Sequence, residues 1–318
     1  MGPSFHNGAA DAPFDIPLSE GPEDVRSLWV TTSDDVRLRV VLWPRAGARG
    51  TVVIYNGRSE FAEKYGRVAR TLTDAGYAVA TVDWRGQGRS DRLFDDVRPG
   101  HVIRFSDYQL DARAFLAALD NPDTPGPRYL LAHSMGGAIG LRSLYNGVEF
   151  SRAVFSAPMW GIRMAPHLAP FAMTLPWLAR QFGQSHRLVP GMSLDSHVLA
   201  TTFEENLLTG DREHYDYLQK QSAADPAFAL GGPTLHWFGK ALAEIRALFD
   251  ARPPDLACKV FLGSDEDIVD PGMVRRMARS WRSAEVIHVP DGRHEMMMEA
   301  PVIRDRFFDE TLSYFDAT

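Results

Sequence analysis

Between residues 36 and 42, Val36, Leu38, Val40 and Leu42 alternate with polar or charged positions such as Arg37 and Arg39. That period of two predicts a half-buried strand. Ser33-Asp34-Asp35 supplies the turn from a partner strand around Trp29-Val30-Thr31. The pattern then changes. Residues 51–55 (Thr-Val-Val-Ile-Tyr) form an unbroken run, as expected of a strand covered on both faces of a parallel sheet. From there the predicted elements alternate: helix 60–74, strand 78–83, helix 106–119 with Ser106 as its cap, strand 129–132, a helix from Met135, and strand 152–156. After a long interval come strand 259–262, helix 271–282, strand 285–289 and a closing helix 301–315. A hairpin followed by repeated strand–helix units implies an α/β architecture: a mostly parallel central sheet flanked by helices.

Residues 159–243 break this rhythm. They are helical in propensity but punctuated by Pro166, Pro170, Pro176, Pro190, Pro226 and Pro233. Lying between two sheet strands, they are predicted to form a helical cap inserted in a core of residues 27–158 and 244–318. Residues 1–26, rich in Gly, Pro, Ala and Asp, are predicted to be a flexible arm.

Composition narrows the field of functions. Of 318 residues, 45% are hydrophobic and 24% charged, ordinary for a globular protein with a sizeable core. A formal charge of -7 provides no basic field for nucleic acid. The lone cysteine, Cys258, excludes an internal disulfide and sits before an apolar run, where a buried thiol is expected. The start of the chain does not have the pattern of a signal peptide. Prolines interrupt the apolar residues 165–182, which argues against a membrane span. A cytoplasmic protein is expected, touching the inner membrane face peripherally at most.

The strongest chemical signal is Ala132-His133-Ser134-Met135-Gly136-Gly137, where an apolar strand meets a helix across small residues. This is the nucleophile elbow, G-x-S-x-G, with Ala132 in place of the first glycine. A serine hydroxyl needs a base to become nucleophilic. His294 suits that role, following the last strand through Pro290-Asp291-Gly292-Arg293. For the acid, the loop after strand 259–262 offers Asp265, Glu266 and Asp267. The register usual in such folds is acid, any residue, two apolar residues, then Pro or Asp. Glu266 with Ile268-Val269-Asp270 satisfies it, leaving Asp267 and then Asp265 as alternatives. Oxyanion stabilisation needs backbone donors. Met135 N–H is one, and Arg58 N–H, turned inward by Gly57, is the candidate for the other. No metal is expected: His294-Glu295 opens like H-E-x-x-H, but Met298 occupies the second ligand position.

Together these residues resemble the monoacylglycerol-lipase-like branch of α/β hydrolases, and within it the bacterial lysophospholipases. The resemblance extends through Asn56-Gly57-Arg58-Ser59-Glu60 with Lys64-Tyr65, Asp83-Trp84-Arg85-Gly86-Gln87-Gly88, Gly100-His101-Val102, Ser156-Ala157-Pro158 and Gly231-Gly232-Pro233 with His236-Trp237. It implies a capped α/β-hydrolase fold, a Ser134–Glu266–His294 triad, no cofactor, and cleavage of a lysophospholipid or monoacylglycerol. A long acyl chain requires an apolar channel, for which Leu168, Phe171, Leu175, Trp177 and Leu178 are candidate lining. The same cap could touch a membrane surface. A general carboxylesterase, an aminopeptidase with its amine site among Glu204, Glu205 and Asp211, and a non-catalytic binder are the alternatives.

Overall fold

The structure, a computed structural model, describes residues 10–165, 171–172 and 174–317. Its strands are β1 (Arg26–Thr31), β2 (Arg37–Trp43), β3 (Thr51–Tyr55), β4 (Ala78–Asp83), β5 (Arg128–His133), β6 (Arg152–Ser156), β7 (Cys258–Gly263) and β8 (Ala284–Val289). They form one sheet in the order β1-β2-β4-β3-β5-β6-β7-β8. The pairs β1–β2 and β2–β4 are antiparallel, and every other pair is parallel. Side chains of β3 and β4 are wholly buried, as a sheet covered on both faces requires.

The described helices are α1 (Ile16–Ser19), α2 (Gly66–Asp74), α3 (Tyr108–Ala118), α4 (Met135–Tyr145), α5 (Thr174–Gln181), α6 (His197–Ala200), α7 (Arg212–Ala224), α8 (Leu235–Asp250), α9 (Pro271–Ser280) and α10 (Pro301–Asp316). Ser106 does not cap α3. A short 3-10 turn, Phe105–Asp107, precedes the helix, and the Asp107 carboxylate accepts from Arg104 N–H. α9 stops two residues early because Trp281 turns inward and its indole N–H donates to the Leu256 carbonyl.

Two expectations near the N-terminus are corrected. β2 is not half-buried: all of it beyond Arg37 is covered, including Arg39. The Arg39 guanidinium bonds Glu63 and Asp83, and donates to the Pro13 carbonyl. The arm is not loose from Ala10 onward, because it lies across this edge of the sheet. Trp29 N–H donates to Ala10 O, and Ala12 N–H to Ser27 O. An unaided charge would be costly to bury, so the chain segment that satisfies Arg39 is thereby fixed in place.

The excursion between β6 and β7 carries α5 to α8. α8 runs through the expected boundary at 243 without a break, and the Tyr145 hydroxyl on α4 donates to Leu248 O. α7 returns to the core and the arm packed on it: Gln221 donates to the carbonyls of Glu63 and Leu18, and Tyr217 to that of Ser19. Among the described residues no helix is long and apolar enough to cross a membrane.

Candidate active site

β5 ends at His133, and Ser134 turns the chain sharply into α4 with φ 49° and ψ -118°. This is a strained conformation for a residue with a Cβ, held here by its neighbours. Ser134 N–H donates to Ser156 O, while Ser134 O accepts from Gly137 and Met159 N–H. Gly136 is required: a Cβ there would run into the Tyr55 carbonyl at the end of β3. The methyl of Ala132 faces Gly140 on α4. Met135 opens α4, so its N–H is one of the four at a helix start without an intrahelical acceptor.

The acid loop and the histidine loop are stitched together beyond β7 and β8. Ser264 N–H donates to Val289 O and Asp265 N–H to Gly292 O. Gly263 passes so close to Gly292 O that a side chain would not fit. Glu266 Oε2 lies 2.8 Å from His294 Nδ1, and both residues are buried. Glu266 Oε1 accepts from the N–H groups of Ile268 (2.7 Å) and Val269 (3.0 Å). Burial pushes the Glu266 carboxyl up. The adjacent imidazole and the two amides outweigh that and hold its pKa below the ordinary carboxylate value. A carboxylate only accepts, so Nδ1 carries the hydrogen and the Nε2 lone pair is left for another proton. Asp267 points away into a 2.6 Å ion pair with Arg163, and Asp265 accepts from the Ser264 hydroxyl. Neither contacts His294.

The loop after β3 is pinned from beneath. Gln87 Nε2 donates to Gly57 O and Glu60 O, and Trp84 Nε1 to Asn56 O. Gly57 serves differently from the expected turn. Its missing side chain makes room for the Glu60 carboxylate, which accepts from Gly57 N–H, and the left-handed residue is Ser59 (φ 65°). The Arg58 side chain wedges between Gly100 and the Trp237 ring, and its Nη2 donates to Gly231 O at 2.5 Å.

Ser134, His294 and Arg58 open into one cavity of about 550 Å³, walled mainly by apolar side chains including Met159, Ile162, Leu208 and Trp237. Phe171 and Leu175 line it, and Leu168 lies outside the described residues. Trp177 and Leu178 do not line it and are solvent-exposed. Helical geometry explains the difference. α5 buries Pro176 and Ala179, so much of its apolar surface is carried on the outer side.

Residues 46–301 match the family described as Serine aminopeptidase, S33. The chain belongs to that family. Lysophospholipase L2 of Escherichia coli strain K12 is 32% identical over 298 residues, covering 90% of this chain and 86% of that protein. A monoacylglycerol lipase of Mycolicibacterium smegmatis is 32% identical over 170 residues, 52% of this chain and 59% of that protein. The crystal structure of a soluble variant of monoglyceride lipase from Saccharomyces cerevisiae superposes with a TM-score of 0.69. It is 20% identical and covers 91% of this chain and 94% of that one. This S33 protein is therefore an α/β-hydrolase-fold enzyme, as its resemblances implied.

One feature of the S33 site is absent from the sequence reading. Behind Ser134 and His294, Lys64 Nζ lies 2.6 Å from both Glu60 Oε1 and Glu295 Oε1, with His133 alongside. The available signal was adjacency: His133 precedes the elbow serine and Glu295 follows the histidine.

Proposed function

We propose that the enzyme hydrolyses the carboxylic ester of a single-chain lipid through an acyl-enzyme on Ser134. The observation that carries this is that His294, held by Glu266, opens with Ser134 into one predominantly apolar cavity. Ser134 Oγ attacks the ester carbonyl and His294 Nε2 takes its proton. Glu266 keeps the ring in that tautomer and stabilises the imidazolium. The N–H groups of Met135 and Arg58 receive the oxyanion. The tetrahedral intermediate expels the alcohol, protonated by His294. Water, deprotonated in turn by His294, then releases the fatty acid.

A lysophospholipid is the substrate class we favour. Two arginines line the cavity, and Arg163 is paired with Asp267. Arg58 has no carboxylate partner among the described residues, and burial draws its pKa down to about 10. A cation left uncompensated beside an ester site suits a substrate that brings a phosphate. The names of the relatives, a lysophospholipase and a monoacylglycerol lipase, support the same substrate range. The aminopeptidase alternative needs a carboxylate for the substrate amine. Glu204 is paired with Arg212, Glu205 accepts from the Thr202 hydroxyl, Asp211 caps α7, and none of the three lines the cavity. The carboxylates that do line it, Glu60 and Glu295, are bonded to Lys64. Exposed Phe171, Trp177, Leu178 and Phe182 on the cap favour transient contact with a lipid surface.

The test is a panel of lysophospholipid, monoacylglycerol, short p-nitrophenyl ester and aminoacyl amide, assayed with wild type and Ser134→Ala. Lysophospholipid is expected to be cleaved most efficiently, and Ser134→Ala to abolish both turnover and fluorophosphonate labelling. Labelling that persists in the variant removes Ser134 from its role.

A further inference from the structure

Four ionisable side chains that the ester-cleaving steps do not use lie in one buried knot behind the site. Glu60 comes from the loop after β3, Lys64 from the 3-10 turn that follows, His133 from the end of β5, and Glu295 from the residue after His294. None is more than 5% exposed. Lys64 Nζ bridges the two carboxylates at 2.6 Å each. Tyr65 OH and Gly57 N–H donate to the other oxygen of Glu60. His133 Nδ1 is 3.1 Å from Ser156 O, which can only accept, so Nδ1 carries a hydrogen. Its Nε2 faces Glu60 Oε1 and Glu295 Oε2, each at 3.4 Å. The three acidic and imidazole groups lie close enough together to hold a cation, and the Lys64 ammonium already fills that role.

Counting charge decides the state of His133. Two carboxylates and one ammonium leave one negative charge among groups at most 5% exposed, and a neutral His133 would aim a lone pair at two carboxylate oxygens. A proton on Nε2 removes both penalties. We propose that Glu60, Lys64, Glu295 and an imidazolium at His133 form a charge-neutral positioning unit. It holds the oxyanion loop, the elbow and the base in register and fixes the charge that His294 faces. Burial alone would lower the His133 pKa, but the two carboxylates outweigh it and raise it. The rings of His133 and His294 are 4.7 Å apart, so any imbalance in the knot acts directly on the base. The other charged groups that bear on His294 are Glu266, bonded to its Nδ1, and Arg58 and Arg163, which line the same cavity. The inference rests on the roles assigned above to Ser134 and His294.

Two measurements test it. In Ser134→Ala protein carrying ¹⁵N-histidine, His133 is expected to keep both ring nitrogens protonated above the pH at which an ordinary imidazole loses its proton; a ring already neutral there overturns the proposal. This readout needs no turnover, so it stands apart from the fate of the acyl-enzyme reading. In the otherwise intact enzyme, Lys64→Met leaves the knot with net negative charge, which favours a proton on His294. The acid limb of kcat/KM is then expected to move up by about one pH unit, with kcat reduced on the order of tenfold. Lys64→Met combined with Glu295→Gln restores neutrality, and the limb should return toward the wild-type position. Losses that simply add in the double variant, with the limb unmoved throughout, would mean that the four groups only pack.

Discussion

At the ends of β5, β7 and β8 the groups around Ser134 are buried and bonded to one another: Glu266 and His294 are 1% and 3% exposed. Across the same cavity, the cap around α5 leaves Trp177, Phe171 and Phe182 between 60% and 74% exposed. The sheet side fixes its groups by short directional contacts, as in the 2.8 Å contact of Glu266 and His294. The cap side offers interchangeable apolar surface held by a few backbone bonds. Chemistry that depends on a few tenths of an ångström is carried by the first, and tolerance for a flexible hydrocarbon by the second. Substitutions on the two sides should therefore fail in different ways.

The largest effect should come from the sheet side. Glu266→Gln is expected to lower kcat by about 10²–10⁴-fold on every ester, because the imidazolium loses its counter-charge and the ring its tautomer. Asp267→Asn, which breaks only a half-exposed ion pair with Arg163, should stay within about twofold. Steady-state kinetics on a short and a long ester check both variants. If Asp267→Asn proves the more damaging, the acid lies one residue further along.

A smaller and selective effect is expected from the cap wall. Phe171→Asp or Leu175→Asp places a carboxylate where methylenes must lie, lowering long-chain kcat/KM by roughly ten- to a hundredfold. A two-carbon ester should be cleaved almost normally. Equal losses on both substrates would show that these residues only support the cap, and the contrast between the two sides would collapse.

The smallest effect should belong to the outer surface. Trp177→Ser with Phe182→Ser removes exposed aromatic area without touching the cavity wall. Binding to phosphatidylglycerol vesicles, read by sedimentation, should weaken severalfold, while turnover of a soluble short ester stays unchanged. Undiminished vesicle binding would place the lipid contact elsewhere.

The two sides also differed in how far the sequence revealed them. Along the sheet, residues adjacent in the chain dictate the geometry: a buried strand, small residues at Gly136 and Gly137, and a serine between them predict the elbow. The register at Glu266 follows from Ile268 and Val269, whose amides the carboxylate binds. Prediction failed where distant segments decide. Arg39 looked outward-facing because nothing nearby shows that Pro13, Glu63 and Asp83 would gather around it. Trp177 and Leu178 looked like lining because composition does not reveal which side of a helix its neighbours will cover. In the knot Lys64 bonds Glu295, 231 positions away, so no local pattern announces it.

The bonds between the histidine loop and the cap bear on any attempt to shorten this enzyme. Arg293 donates to the carbonyls of Asn206 and Thr209, and Glu295 N–H donates to Leu208 O. His294, the proposed general base, thus stands on a strip of backbone clamped by the insertion above it. The Arg58 loop is tied upward in the same way through Gly231 O. Excising the cap would not expose a working minimal esterase. It would cut loose both the residue proposed to accept the proton and the loop proposed to receive the negative charge. Evolution or design could redraw the roof of this pocket residue by residue, but the span from Asn206 to Thr209 and the turn at Gly231 would have to be kept.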